Sequence, residues 1–171
     1  PRFLFLLLTV VGCLACISAS AFDSVSGNFS LELPKNWKLG PPDIVYGNKE
    51  PVVIAPEAYD GLKPRLRFGE EKLDAGDDLA VFAKEVLKTL AKYDRFRLIS
   101  NTDLRLPSGL EVKKVVYERY SNADKAMIRS VDYWTIVRGQ NVLIIDIMAS
   151  PSAPASVFEQ AEAAVMTLRS K

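Results

Sequence analysis

There is no histidine anywhere in this sequence. That removes the usual general base near neutral pH, the usual partner of a serine or cysteine nucleophile, and the commonest metal ligand. Cysteine is nearly absent too: Cys13 and Cys16 are the only two, and both sit in an apolar N-terminal run. A chain cut behind that run has no disulfide and no thiol nucleophile. An excess of either charge is also missing. Of 22 basic and 21 acidic residues, only Arg2 precedes Phe22, so the chain from Phe22 onward is formally neutral. Nucleic-acid binding draws its affinity from surplus lysine and arginine, which argues against a nucleic-acid partner. No glycine-rich phosphate loop, metal-spaced Cys/His set or serine nucleophile elbow occurs, so neither cofactor nor metal is expected.

What is present fits one globular unit. The 171 residues are 49% apolar and 25% charged, enough for one domain around a single sizeable core. The run "RFLFLLLTVVGCLACIS" carries one positive charge at its start and ends in "ASA", Ala19 to Ala21. Small residues at these positions form a signal-peptidase pattern, so residues 1–21 are expected to be a signal peptide and residues 22–171 a single domain. The run falls slightly short of the roughly 18 apolar residues of a single-span anchor. The rival is lipidation: "VVGC", Val10 to Cys13, has the form of a bacterial lipobox, although Leu14 to Ile17 stay apolar where a lipoprotein usually turns polar. Either way the domain is expected in the periplasm or outside the cell, with no membrane span after cleavage.

The rest of the chain divides by hydrophobic period. "FSLEL", Phe29 to Leu33, alternates apolar and polar residues, the period of a half-buried strand. Pro34 ends it, and Trp37 is expected to pack back onto the core. Short strands are predicted at "DIVYG", "PVVIAPEA" and "RLRFG", separated by turn signals at Gly47-Asn48 and Asp60-Gly61. A helix is predicted from Asp77-Asp78, acidic residues suited to its cap and first turn. Leu79, Phe82, Ala83, Val86, Leu87 and Leu90 form its apolar stripe, with Lys84, Glu85 and Lys88 facing away. After Tyr93 come long strands with short turns: "FRLISNTDLRL", "LEVKKVVYERY", "AMIRSVDYWTIV" and "VLIIDIMA", the pattern of an antiparallel meander. A last helix, behind Pro151 and Pro154, aligns Val157, Phe158, Ala161, Ala164, Val165 and Leu168.

The turn "RGQN", Arg138 to Asn141, suggests a register in which Val137 faces Val142. Trp134 then faces Ile145, Ile136 faces Leu143, and Tyr133 faces Asp146. Ile128, Trp134, Ile136, Leu143, Ile145 and Ile147 would share one face; Val131, Tyr133, Val142, Ile144 and Met148 the other. Both faces are apolar enough to need a cover. The expected fold class is α+β: an α/β/α sandwich with a central, mainly antiparallel sheet and helices on both faces.

In this order, the signal segment, "FSLELPKNW", the short strands, "DDLAVFAKEVLKTLA", the meander and the final "FEQAEAAVMTL" helix resemble the PsbP-like superfamily. Its members include the extrinsic luminal protein of the oxygen-evolving photosystem, bacterial DcrB-type envelope proteins and a Ran-binding nuclear-transport factor. The likeness runs from about Asn28 to the end and rests on element order, not on a catalytic motif. It makes Phe29–Leu33 the first strand of the sandwich, with Trp37 closing one end of the core. It implies a non-enzymatic binding or accessory module acting through a protein partner in the envelope or at a membrane surface. Ion sites that use histidine in the photosystem branch have no counterpart here.

Asp146 stands out as a carboxylate inside "VLIIDIM". Burying it uncompensated costs several kcal/mol or raises its pKa. The expected compensation is a hydrogen bond to Tyr133, or to Lys113 or Arg119; the functional alternative makes Asp146 and Tyr133 a ligand-binding point in a pocket, or Asp146 the acid of a small carboxylate-dependent enzyme. A lone acid without a second acid or a nucleophile is poor ground for catalysis. Glu70-Glu71 and Asp77-Asp78 lack the alternate spacing of a calcium loop. Lys63, Arg65 and Arg67 on one side of a short strand are expected to be exposed charges that protect an edge, with an anion or headgroup patch as the alternative.

Overall fold

The computed structural model describes residues 20–42 and 50–171. The expected "DIVYG" strand, Cys13 and nearly all of the expected signal segment lie outside the described residues. The first elements of the described chain are β1 (Ala21–Asp23), β2 (Phe29–Glu32) and β3 (Lys38–Pro42). Then come β4 (Pro51–Ile54), β5 (Arg65–Lys72) and α1 (Leu79–Leu90). The meander is β6 (Arg97–Arg105), β7 (Glu111–Ser121), β8 (Ala126–Val137) and β9 (Asn141–Ala149). The described chain closes with α2 (Ala155–Val165) and β10 (Arg169–Ser170).

The strands form two antiparallel sheets. The large one has the order β3-β4-β5-β9-β8-β7-β6, and the small one β1-β2-β10. β5 and β9 pair along eight residues, Arg65 with Met148 through Lys72 with Asn141, which joins the early strands to the meander. Because β8 and β9 are apolar on both faces, both faces must be covered. One is covered by α2 and the small sheet: Leu66, Phe68, Val131, Tyr133, Leu143, Ile145 and Ile147 pack with Val157, Phe158, Ala161 and Val165, and with Phe22, Phe29 and Leu31. The other is covered by α1, whose Phe82, Ala83 and Leu90 pack on Val115, Tyr117, Trp134, Val142 and Ile144. This is the α+β sandwich with helices on both faces that the sequence implies. The Phe29 strand, however, belongs to the small sheet laid over one face, and Trp37 is buried in the same core.

The helices form for the reasons their sequences give. The Asp78 side chain caps α1 by accepting from the backbone N–H of Ala80 and of Val81, each at 2.9 Å, which satisfies two of the free donors of the first turn. The outward residues Glu85 and Lys88 make a solvent-exposed pair. α2 starts behind Pro154, whose missing N–H costs nothing at a helix start.

The register of the β8–β9 hairpin differs from the expected one by a single residue. Val137 pairs with Asn141, not Val142, so Trp134 faces Ile144, Ile136 faces Val142 and Tyr133 faces Ile145. The cause is the turn. Only Arg138–Gln140 bridge the strands, with Gly139 at φ 74° and Gln140 at φ 61°. Glycine enters that left-handed region freely, but glutamine gives no sequence warning that it does so. A one-residue slip exchanges the faces of one strand against the other. Trp134 therefore shares the α1 face with Val142 and Ile144, while Tyr133 shares the α2 face with Leu143, Ile145 and Ile147.

Candidate functional site

The same register places Asp132 of β8 directly opposite Asp146 of β9. Both side chains lie on the α1 side of the sheet, and the two residues are only 3% and 5% exposed. Two ionised carboxylates in directly opposed positions repel, and little water is present to screen them. Two neighbours reduce the cost. Arg67, opposite Asp146 on β5, makes an ion pair with its Oδ2. Tyr117 of β7 donates its hydroxyl proton to Asp132 Oδ2 at 3.3 Å. Burial, followed by the charge of Asp146, raises the Asp132 pKa well above the usual carboxylate range. Burial and then Asp132 raise the Tyr117 hydroxyl in the same way, so it remains a donor.

Next to this pair a second ion pair reaches the surface. Arg65 donates twice to Asp124, at 2.8 and 2.9 Å, and the Ser121 hydroxyl donates to the same carboxylate at 2.7 Å. Burial would raise Asp124, but the Ser121 hydrogen bond and the Arg65 charge outweigh it and hold its pKa below normal. Arg65 and Arg67 are thus partly buried partners of acids in an inner strand. They are not the exposed edge charges that the sequence implied; Lys63 alone of the three is exposed.

Tyr133 sits on the opposite face, and the expected hydrogen bond to Asp146 is not made. Its ring lies under Lys114, with Nζ 5.5 Å from the centroid, and Lys114 bonds Glu162 of α2 at 2.7 Å. Burial, then the Glu162 charge, raises the tyrosine pKa. Of the other expected partners, Lys113 pairs with Asp103 and Arg119 stacks over Tyr93 at 4.7 Å. The sheet therefore separates Asp146 from Tyr133 and brings it to Asp132 and Arg67, two residues that the sequence pattern did not place there. Asp132 becomes visible from sequence only if the turn is counted as three residues rather than four.

Chemically, two acids beside a guanidinium and a phenol could exchange a proton, but burial keeps a substrate away from them. A cleft of about 590 Å³ is lined by Pro107, Leu110, Met166 and Arg169, and another of about 470 Å³ by Leu79, Leu104, Arg105 and Lys113; neither includes Asp132 or Asp146. No group of three or more metal-ligating side chains occurs among the described residues. The chain presents to solvent a different feature, β6. It is the last strand of the large sheet, is exposed along most of its length, and has no strand on its outer side among the described residues. Leu98 and Ile99 are 45% and 46% exposed there. The register shifts between Leu98 and Ser100, leaving Ile99 in a bulge.

No protein-family model and no curated protein sequence matches the chain. Solved structures do. LpqN of Mycobacterium tuberculosis, involved in cell envelope biogenesis, is similar with a TM-score of 0.67 and 13% identity, over 92% of this chain and 87% of that one. The cyanobacterial PsbP of Synechocystis is similar with a TM-score of 0.62 and 12% identity, over 95% and 99%. The Ran-binding protein Mog1p of Saccharomyces cerevisiae is similar with a TM-score of 0.56 and 11% identity, over 89% and 95%. Identities this low establish the fold alone, and the fold is the PsbP-like one.

Proposed function

We propose that this PsbP-like chain is a non-catalytic binding module that acts outside the cytoplasm through a protein partner. In this reading residues 22–171 form one domain, freed by cleavage after Ala21 or, alternatively, tethered by lipid at Cys13. The observation that carries the proposal is the outer edge of β6, which no strand covers among the described residues. Its inner side is tied to β7 by ion pairs, Arg97–Glu118 at 2.7 Å, Asp103–Lys113 at 2.6 Å and Arg105–Glu111 at 2.6 Å. Its outer side is left for an extended segment to join, with main-chain hydrogen bonds for affinity and Leu98 and Ile99 for apolar contact. The fold neighbours support this reading, since one is a Ran-binding protein and another is involved in envelope biogenesis. A carboxylate-dependent enzyme would need Asp146 within reach of substrate, yet its Oδ2 is held by Arg67 and its side chain is nearly sealed.

The test compares the wild-type chain with Ile99→Lys as bait in an envelope fraction. The variant should fold, as judged by circular dichroism, and lose a protein that the wild type captures reproducibly. Turnover in a hydrolase panel that survives repurification would overturn the proposal, as would equal capture by both baits.

A further inference from the structure

We propose that Asp132 and Asp146 bind a single proton between their Oδ1 atoms, and that this shared proton is a pH-sensitive latch across the middle of the large sheet. The inference starts from accounting for lone pairs. Asp146 Oδ2 is taken by Arg67 and Asp132 Oδ2 by Tyr117. The Oδ1 atom of each acid is buried and has no donor from any other side chain. The two carboxyls lie opposite each other within hydrogen-bonding reach. A buried acceptor without a donor is costly, and two facing each other are costlier. One proton satisfies both: Asp132 is the donor and Asp146 the acceptor. The pair then carries one negative charge, beside the positive charge of Arg67.

The groups facing this proton come from four adjacent strands: Arg67 on β5, Asp146 on β9, Asp132 with Ser130 on β8, and Tyr117 with Arg119 on β7. Asp124 of the β7–β8 turn acts on Arg67, and the charged residues of α1, Lys84, Glu85 and Lys88, are exposed. Loss of the proton to solvent leaves two negative charges directly opposed in a buried site, while Arg67 is shared with Asp124 as well. Their repulsion acts directly between β8 and β9, the strands at the centre of the sheet. The neighbour of the pair that is most open to solvent is Arg67, whose side chain is 20% exposed. In the unfolded chain both acids ionise in the ordinary aspartate range. Between that range and the higher folded value of Asp132, the folded state holds the extra proton. Folding is therefore favoured by the full amount below the unfolded value and loses that increment as pH rises through the folded one.

Urea unfolding at about pH 5 and about pH 8 tests the latch, together with carboxyl-carbon NMR of the wild type. The wild-type midpoint should fall between the two conditions. Asp132→Asn, which keeps a permanent donor toward Asp146, should fold and show a markedly smaller fall. In the NMR titration one aspartate carboxyl should remain protonated at a pH where aspartate in a model peptide has ionised, and Asp146→Asn should shift that titration. If every aspartate carboxyl ionises in the ordinary range, or if wild type and Asp132→Asn show the same pH dependence, the shared proton does not exist. Should Asp132→Asn fail to fold, the wild-type NMR titration decides alone. Loss of partner capture by the β6 variant has no bearing on this result, so the two proposals fail separately.

Discussion

Asp146 shows how a single side chain can be conspicuous in sequence and still have hidden partners. Its position inside an apolar strand predicts a compensated buried acid, and the structure compensates it. The identity of the compensating group depends on register, and a one-residue slip exchanged Tyr133 for Asp132. The two acids should respond differently to neutralisation. Asp146→Asn removes the negative charge that pairs with Arg67, and breaking a buried ion pair costs roughly 3–5 kcal/mol. Arg67 is partly exposed and can turn to water, so the lower end of that range is expected. Asp132→Asn replaces a donor with a donor and should cost less than about 1 kcal/mol. Chemical denaturation at about pH 7 should rank the two variants in that order; the reverse order would mean that Arg67 is held by another group. Trp134 belongs at this scale too. It is fully buried, with its ring edge-on to Phe82 at 5.7 Å, whereas Trp37 is 7% exposed. Trp134→Ala should therefore cost roughly 3–5 kcal/mol and Trp37→Ala less, and urea midpoints of the two variants will show whether they separate.

At the scale of elements, the helices were the most legible part of the sequence. The stripe from Leu79 to Leu90 is the set of residues that meets the α1 side of the sheet, because a helix stripe is set by local period alone. The cap is equally local. Asp78 supplies both cap hydrogen bonds, so Asp78→Ala should cost about 1 kcal/mol while Asp77→Ala should change the thermal midpoint little. Equal losses in a thermal melt would mean that the helix begins one residue earlier. The strands were legible as strands but not in their pairings. The hairpin between β8 and β9 turns on Gln140 in a left-handed conformation, which its residue type does not announce. β10 has two residues, too short for any period. The assignment of β1, β2 and β10 to a separate sheet depends on contacts between the two ends of the described chain, among them the backbone bond from Lys171 N to Asn28 O at 2.9 Å.

For the whole molecule, the large sheet works as a partition between two cores, and each core has its own fastening. On the α1 side the fastening is Trp134 against Phe82. On the α2 side it is an aromatic cluster that binds the small sheet to the large one: Phe68 of β5 stacks on Phe22 at 4.9 Å and meets Phe29 at 5.6 Å. The layering itself was readable, because β8 and β9 are apolar on both faces and two amphipathic helices are available to cover them. That one cover would be a helix together with a small sheet was not. The partition predicts that damage stays on its own side. Phe68→Ala opens a cavity where the two sheets meet, with a cost of roughly 3–5 kcal/mol. Locally unfolding segments are lost before the global fold, so amide exchange should accelerate most in β1 and β2, less in α1. Trp134→Ala should give the opposite pattern, accelerating α1 and leaving β2 comparatively protected. Native-state hydrogen exchange on both variants resolves the two sides. Uniform acceleration in each would mean that the cores unfold as one unit and that the sheet does not insulate them.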